Sequence, residues 1–78
     1  MKISFSKSAK KDIQFWAFNN FAKLEKIHDL IMSIAVNPYE GIRKPEALIQ
    51  NLSGYWSRRI TDEHRLVYKI EDNILFIM

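Results

Sequence analysis

The sequence predicts one α+β domain, residues 1–78, in which a small, mainly antiparallel sheet packs against a two-helix hairpin in the order β-α-α-β-β-β. Apolar residues alternate with polar ones at the N-terminus, recur every three or four residues in the middle, and alternate again in the last third. With 78 residues, 47% of them hydrophobic, the chain has enough material for one core and too little for a second.

The N-terminal half accounts for one strand and both helices. In "KISFS", Ile3 and Phe5 share one face, and Ser6 or Ser8 is placed to cap the helix that follows. The second helix, "FAKLEKIHDLIMSIAV", repeats its apolar residues at helical spacing and ends before Asn37-Pro38. The apolar face of the first helix carries Ala9, Ile13, Trp16 and Ala17. We read Trp16 and Trp56 as core residues.

The remaining strands follow a loop at 37–47. A short strand, "ALIQN", precedes a turn at Ser53-Gly54, then come the hairpin of residues 54–70 and a last strand, "ILFIM". If residues 61–63 form the hairpin loop, the apolar residues of both arms share a face and Arg59 lies directly opposite Arg65. Like charges in that position destabilise a sheet, so this pair predicts a counter-charge or a ligand.

Charge and composition limit the kinds of partner and site. The net charge is +3, and residues 41–70 hold the whole excess, which is compatible with either a polyanionic partner or a solvated face. There is no cysteine, and two separated histidines with scattered carboxylates predict no metal site. No leader or membrane-spanning segment is visible, so we expect a cytoplasmic protein that contacts no membrane. There is no glycine-rich phosphate loop either, so we expect no cofactor.

Glu46 is the nearest carboxylate in sequence that could neutralise the arginine pair. Beside two guanidinium groups it would stay ionised and could serve as a base. A bound phosphate would satisfy the same cations through paired hydrogen bonds, and splayed, solvated arginines are the third interpretation.

Four segments carry a family resemblance at a continuous spacing. They are Pro-x-Glu-Gly at 38–41, "KPE" at 44–46, "NLSGYWSRRI" at 51–60 and "EHRLVY" at 63–68. Together they resemble the YoeB/Txe family of bacterial toxins, within the RelE-like superfamily, over essentially the whole chain.

The resemblance implies a metal-independent, ribosome-dependent endoribonuclease that cuts mRNA in the A site and is silenced by a YefM-like antitoxin. Attack by a ribose 2′-hydroxyl needs a base, cations for the phosphorane and an acid for the leaving oxygen. The resemblance assigns the base to Glu46 and the phosphate contact to Arg65, with Arg59 beside it. RNA-binding roles follow for Lys44 and Arg58, and Tyr55 could stack on a base. A homodimer is compatible with the resemblance.

Two departures from the family pattern affect the expected activity. Ile49 stands where the family usually has a lysine, and the sequence stops at Met78, before the terminal His-Tyr pair whose histidine would act as the acid. His28 and His64 are interpreted as structural. The alternative function is therefore a truncated, cleavage-impaired copy that only binds antitoxin or ribosome. A gyrase poison of the ParE type is a third possibility, against which Glu46, Arg59 and Arg65 argue.

Overall fold

The computed structural model describes all residues, 1–78. It has an α+β fold of two layers, a five-stranded sheet and a hairpin of two helices. The strands are β1 Lys2–Phe5, β2 Glu46–Ala47, β3 Trp56–Arg59, β4 Arg65–Glu71 and β5 Ile74–Ile77; the helices are α1 Lys7–Asn19 and α2 Phe21–Val36. The sheet order is β1-β5-β4-β3-β2, and only β1 with β5 is parallel. The predicted class and the mainly antiparallel sheet are confirmed, and β2 lies where a short strand was expected before the hairpin.

Both helices begin at a side-chain cap. The Ser6 hydroxyl accepts a hydrogen bond from the Ala9 amide at 3.0 Å. The side-chain oxygen Oδ1 of Asn20 accepts one from the Lys23 amide at 3.1 Å. Helix α2 supplies four of the ten buried core residues from one face, which packs on the sheet. The residues of α2 in that core are Ile27, Leu30, Ile31 and Ile34. Neither helix is long and apolar enough to cross a bilayer.

The predicted hairpin register is confirmed. Strands β3 and β4 pair Arg58 with Leu66 and Arg59 with Arg65, and the Ile60 amide donates to the His64 carbonyl at 2.8 Å across the loop of residues 61–63. The turn between β4 and β5 has Asp72 and Asn73 at φ 52° and 61°, the two left-handed positions of a type I′ hairpin. Short, well-defined turns therefore determine which side chains face the helices.

The expected strand "ALIQN" is wrong in its bounds. The ladder with β3 covers Glu46–Ala47, and only the Leu48 amide continues it, donating to the Tyr55 carbonyl at 2.9 Å. Gln50 then adopts φ 59° and opens a 3₁₀ turn at Gln50–Leu52. A left-handed residue ends the extended conformation that the apolar residues of this segment favour.

Some apolar residues of the predicted core lie near its rim. Ile3 is 41% exposed because β1 is an edge strand, and Ala17 and Phe21 are exposed near the connection between the helices. Trp16 and Trp56 are half-buried and pack against the core. The side chains on the other face of the sheet, here called the open face, point away from both helices. Alternation along β3 and β4 puts Ser57, Arg59, Arg65, Val67 and Lys69 on it.

Candidate RNA-cleavage site

The open face brings Glu46 and Arg65 together. Strand β2 pairs Glu46 with Ser57, and β3 pairs Arg59 with Arg65, so these residues occupy adjacent rows of one sheet surface. Glu46 Oε2 lies 3.6 Å from Arg65 Nη2. The two side chains are 60% and 34% exposed, so the ion pair adds little to stability and remains open to a ligand.

Arg65 is oriented by contacts that involve only part of its guanidinium. Its Nε donates to the Ser57 hydroxyl at 2.8 Å, and its Nη2 donates to the Lys44 carbonyl at 3.4 Å. Ser57 is buried although it lies on the open face, since the neighbouring side chains cover it. These contacts leave Nη1 for a phosphate oxygen. Ser57 was not predicted as a site residue, although the hairpin register already puts it on the same face as Arg59 and Arg65.

Arg59 has a different carboxylate partner from the one expected. Its Nη1 lies 3.7 Å from Asp62 Oδ1 in the hairpin loop, and the Asp62 side chain is almost fully exposed. The Arg59 amide donates to the Arg43 carbonyl at 2.8 Å, which brings the loop before β2 alongside β3. Lys44 is the next residue of that loop and is exposed. The structure thus places Arg65 beside Glu46 and Arg59 opposite Arg65, with the backbone of Lys44 against Arg65.

Tyr55 lies one row further along the open face. It is half-buried, and Lys69 Nζ lies 5.3 Å from the centroid of its ring and 5.3 Å from that of Phe76. A hydrogen bond with Glu71, at 3.1 Å, raises the pKa of Lys69 above its ordinary value. An amine held between two aromatic rings gives this row a mixed apolar and cationic surface, which suits a nucleobase.

Arg58 does not join the predicted RNA surface. Its side chain is fully buried on the helix-facing side of β3, and all five guanidinium donors are bound within the chain. The acceptors are the Tyr68 and Ser33 hydroxyls and the carbonyls of Ile42, Asn37 and Glu40. No donor is left for a phosphate, so the expected RNA contact by Arg58 is corrected to an internal one. The predicted register had already put Arg58 on the core face.

The histidines and Ile49 lie outside the cluster around Glu46. His28 is exposed on α2, where its ring nitrogen is 3.6 Å from the carboxylate of Asp29. His64 is exposed too, although the hairpin register puts it on the core face, and its ring edge lies against Trp16 at a centroid distance of 5.8 Å. Ile49 is 75% exposed beside the 3₁₀ turn. No group of three or more histidine and carboxylate side chains has the arrangement of a metal site.

Comparisons with known proteins agree with this arrangement. A family model described as the YoeB-like toxin of bacterial type II toxin–antitoxin systems matches residues 5–78. Toxin YoeB of Synechocystis sp. is 50% identical over 100% of this chain and 91% of its own length. The structure of the YoeB/ParE toxin of Agrobacterium tumefaciens superposes with a TM-score of 0.97 at 39% identity, covering 100% of this chain and 93% of that one.

The toxin of Staphylococcus aureus adds information on assemblies. Its heterotetrameric YoeB–YefM complex matches with a TM-score of 0.93 at 46% identity, and its YoeB dimer with 0.92 at 46%; each covers 99% of this chain and 90% of that one. Sequence, fold and family model therefore lead to one conclusion. This chain belongs to the YoeB family of toxins of bacterial type II toxin–antitoxin systems.

Proposed function

We propose that the chain is a ribosome-dependent endoribonuclease that cuts mRNA in the A site, with Glu46 as general base and Arg65 as the main phosphate ligand. The observation that supports this most is the exposed Glu46–Arg65 pair at 3.6 Å, with Arg59 opposite Arg65. A base and a cation at this separation can act on a 2′-hydroxyl and on the phosphate next to it.

The reaction follows from these side chains. Glu46 takes the proton of the ribose 2′-hydroxyl, whose oxygen attacks the adjacent phosphorus, and the bond from phosphorus to the 5′ oxygen breaks. Arg65 and Arg59 stabilise the charge that develops on the phosphorane oxygens, because guanidinium groups bind such oxygens through directed hydrogen bonds. When the phosphate enters, it competes with Glu46 for Arg65, which frees the carboxylate to act as a base.

The remaining contacts hold the RNA. Lys44 is exposed beside the arginine pair and would contact the backbone, which gives the complex a salt-dependent affinity. Tyr55, with Lys69 and Phe76 in the same row, would stack on a base next to the cleaved bond.

The general acid would enter beside strand β5. The Met78 amide donates to the Val67 carbonyl at 2.9 Å, and Tyr68 pairs with Ile77, so this ladder runs toward Arg65. Residues that extend β5 in this register pass next to Arg65, where a histidine could protonate the leaving oxygen.

The partners follow from the family. We propose that a YefM-like antitoxin binds and silences this chain, as the S. aureus complex joins YoeB with YefM, and that the free toxin can form a homodimer as in the S. aureus dimer. We also propose a cytoplasmic location, because the proposed partners, ribosome and mRNA, are in the cytoplasm.

Primer extension on an mRNA translated in vitro tests the activity. We expect new 5′ ends within A-site codons, lost or reduced by about 10²–10⁴-fold in Glu46→Gln. The matched control is Glu25→Gln, an exposed carboxylate on α2, which should cut like the unmodified chain. Ribosome binding without new ends would support the binding-only alternative. Equal cutting by Glu46→Gln would remove the carboxylate from its proposed role.

A further inference from the structure

The loop between α2 and β2 is held from inside the protein. Arg58 Nη2 donates to the Asn37 and Glu40 carbonyls at 2.6 and 3.0 Å, and Nη1 donates to the Ile42 carbonyl at 3.4 Å. The Tyr68 hydroxyl donates to the Pro38 carbonyl at 2.6 Å. Four carbonyls of residues 37–42 are therefore bound by two side chains of the hairpin.

The same two side chains bind each other and helix α2. Arg58 Nε donates to the Tyr68 hydroxyl at 3.2 Å, and Nη1 donates to the Ser33 hydroxyl at 2.7 Å. We call Arg58, Tyr68 and Ser33 the Arg58 cluster. No carboxylate pairs with Arg58, so hydroxyl and carbonyl dipoles alone compensate its buried charge. Because an unpaired buried cation is very costly, Arg58 and the loop depend on each other.

The loop leads directly into the catalytic strand. After Ile42, Arg43 and Lys44 adopt φ 66° and 51°, which is unfavourable for residues with a side chain. Such a conformation persists only where the surrounding contacts enforce it. The Arg59 amide donates to the Arg43 carbonyl, and on the open face the Arg65 side chain donates to the Lys44 carbonyl. Glu46 follows two residues later, in β2.

We propose that Arg58 is a positioning residue: through residues 37–42 it holds the left-handed segment 43–44 in place, and so sets where Lys44 and Glu46 lie relative to Arg65. This role rests on the proposed function, since it concerns the geometry of that site. Strand β3 joins the two faces, because Arg58 lies between Ser57, which orients Arg65, and Arg59, which binds the loop.

The Arg59 amide provides a direct measure of the loop position. Its acceptor is the Arg43 carbonyl in the loop, whereas the acceptor of the neighbouring Ile60 amide is the His64 carbonyl in the hairpin. Loss of the loop contact therefore exposes the first amide to exchange with solvent and leaves the second protected. The ratio of the two exchange rates separates movement of the loop from unfolding of the whole domain.

The test uses Arg58→Lys and Tyr68→Phe, with Ser33→Ala as a milder variant that removes one acceptor. The control is Leu75→Val, which alters the core in the middle of β5, where Leu75 pairs with Ile3 and Ile70 and with no member of the Arg58 cluster. All chains are compared at the same number of degrees below their own midpoint of thermal unfolding. We expect the ratio of Arg59 to Ile60 amide exchange to rise by about tenfold or more in the cluster variants and to stay constant in Leu75→Val.

Cleavage is then measured at saturating ribosome. We expect the cluster variants to cut about 10–100-fold more slowly, because small displacements of a base have effects of that size. An unchanged exchange ratio in both Tyr68→Phe and Ser33→Ala would overturn the proposal, as would equal slowing in Leu75→Val. If the unmodified chain does not cut, the proposed function fails and the exchange ratio still decides the role of Arg58.

Discussion

Arg59 and Arg65 lie directly opposite each other in the β3–β4 ladder, yet each faces a different carboxylate. Asp62 Oδ1 is 3.7 Å from Arg59, and Glu46 Oε2 is 3.6 Å from Arg65. Both ion pairs are at least partly exposed, so neither offsets much of the repulsion between the arginines. A ligand phosphate would bind between two cations that the fold already holds together.

We expect Arg59→Gln to stabilise the fold and to impair its activity. Removing one of two opposed like charges should raise the free energy of unfolding by about 0.2–1 kcal/mol, and the gain should shrink in high salt. Cleavage should fall by about 10²-fold, because one cation at the phosphorane is lost. Urea unfolding at low and high salt, with in vitro cleavage, measures both effects.

The control for that prediction is Arg43→Gln. It removes the same charge from the neighbouring loop, where no arginine is paired opposite in the ladder. Its unfolding free energy should change little and should depend less on salt. A stability gain of equal size in both variants would assign the effect to net charge and not to the Arg59–Arg65 pair.

Ser57 should matter for activity more than its size suggests. Its buried hydroxyl accepts the 2.8 Å hydrogen bond from Arg65 Nε, so Ser57→Ala removes the contact that orients Arg65, the proposed phosphate contact. We expect a loss of about 1 kcal/mol in the free energy of unfolding. Cleavage at saturating ribosome should fall about 10–100-fold. Ser4→Ala, at an exposed serine of β1, should leave both quantities unchanged, and a Ser57→Ala chain that cuts normally would contradict the prediction.

Local pattern was sufficient for the helices and the hairpin. Helical periodicity and a polar break at Asn37-Pro38 defined α2, and one choice of loop aligned the apolar sets of β3 and β4. That register alone predicts Arg59 opposite Arg65, because a shift of one residue would move every side chain of a strand to the wrong face.

Features that depend on distant contacts were not predictable in the same way. The bounds of β2 depend on the left-handed Gln50, and nothing in "ALIQN" requires that conformation. Arg58 was misread because arginine is seldom fully buried, and its acceptors come from α2, the loop at 37–42 and β4. Asp62 was not recognised as the partner of Arg59 because it lies inside the hairpin loop.

Alkaline conditions should destabilise the protein through Tyr68. Burial raises the pKa of its phenol above the ordinary 10.0, with Arg58 acting in the opposite sense and only partly offsetting it. The folded chain therefore holds this proton where the unfolded chain has released it. The resulting stability is complete below pH 10 and is lost as the pH rises through the folded-state pKa.

The Tyr68→Phe chain should lose less of its free energy of unfolding at alkaline pH. At neutral pH its free energy of unfolding should already be lower than that of the unmodified chain. The hydroxyl it lacks accepts from Arg58 and donates to Pro38, so we expect a loss of about 1–3 kcal/mol at pH 7. Urea unfolding between pH 8 and pH 11 compares the two slopes. The raised pKa of Lys69, caused by Glu71, acts in the same direction and persists in both chains. Parallel slopes would show that Tyr68 does not titrate with unfolding.

Alanine substitutions at Gly41 and Gly54 separate the effect of backbone strain from the effect of steric contact with Arg58. Both have positive φ, 135° and 94°, so alanine is strained at either position. A Cβ at Gly41 would also lie 2.9 Å from Ser33 Oγ and 3.0 Å from Arg58 Nη1, whereas one at Gly54 would meet nothing within 4 Å. Gly41→Ala should therefore be the more destabilising, by about 1–2 kcal/mol beyond Gly54→Ala.

The two alanine variants should differ in activity as well as in stability. In Gly41→Ala the added methyl group displaces Ser33 or Arg58, so the loop at 37–42 moves and Glu46 with it; cleavage should fall at least about tenfold. Gly54→Ala, in the turn before β3, should cut normally once the chains are compared at equal distance from their unfolding midpoints. Equal losses of stability and activity in both variants would mean that positive φ alone accounts for the glycine at position 41, and that the close approach of the loop to Arg58 contributes nothing.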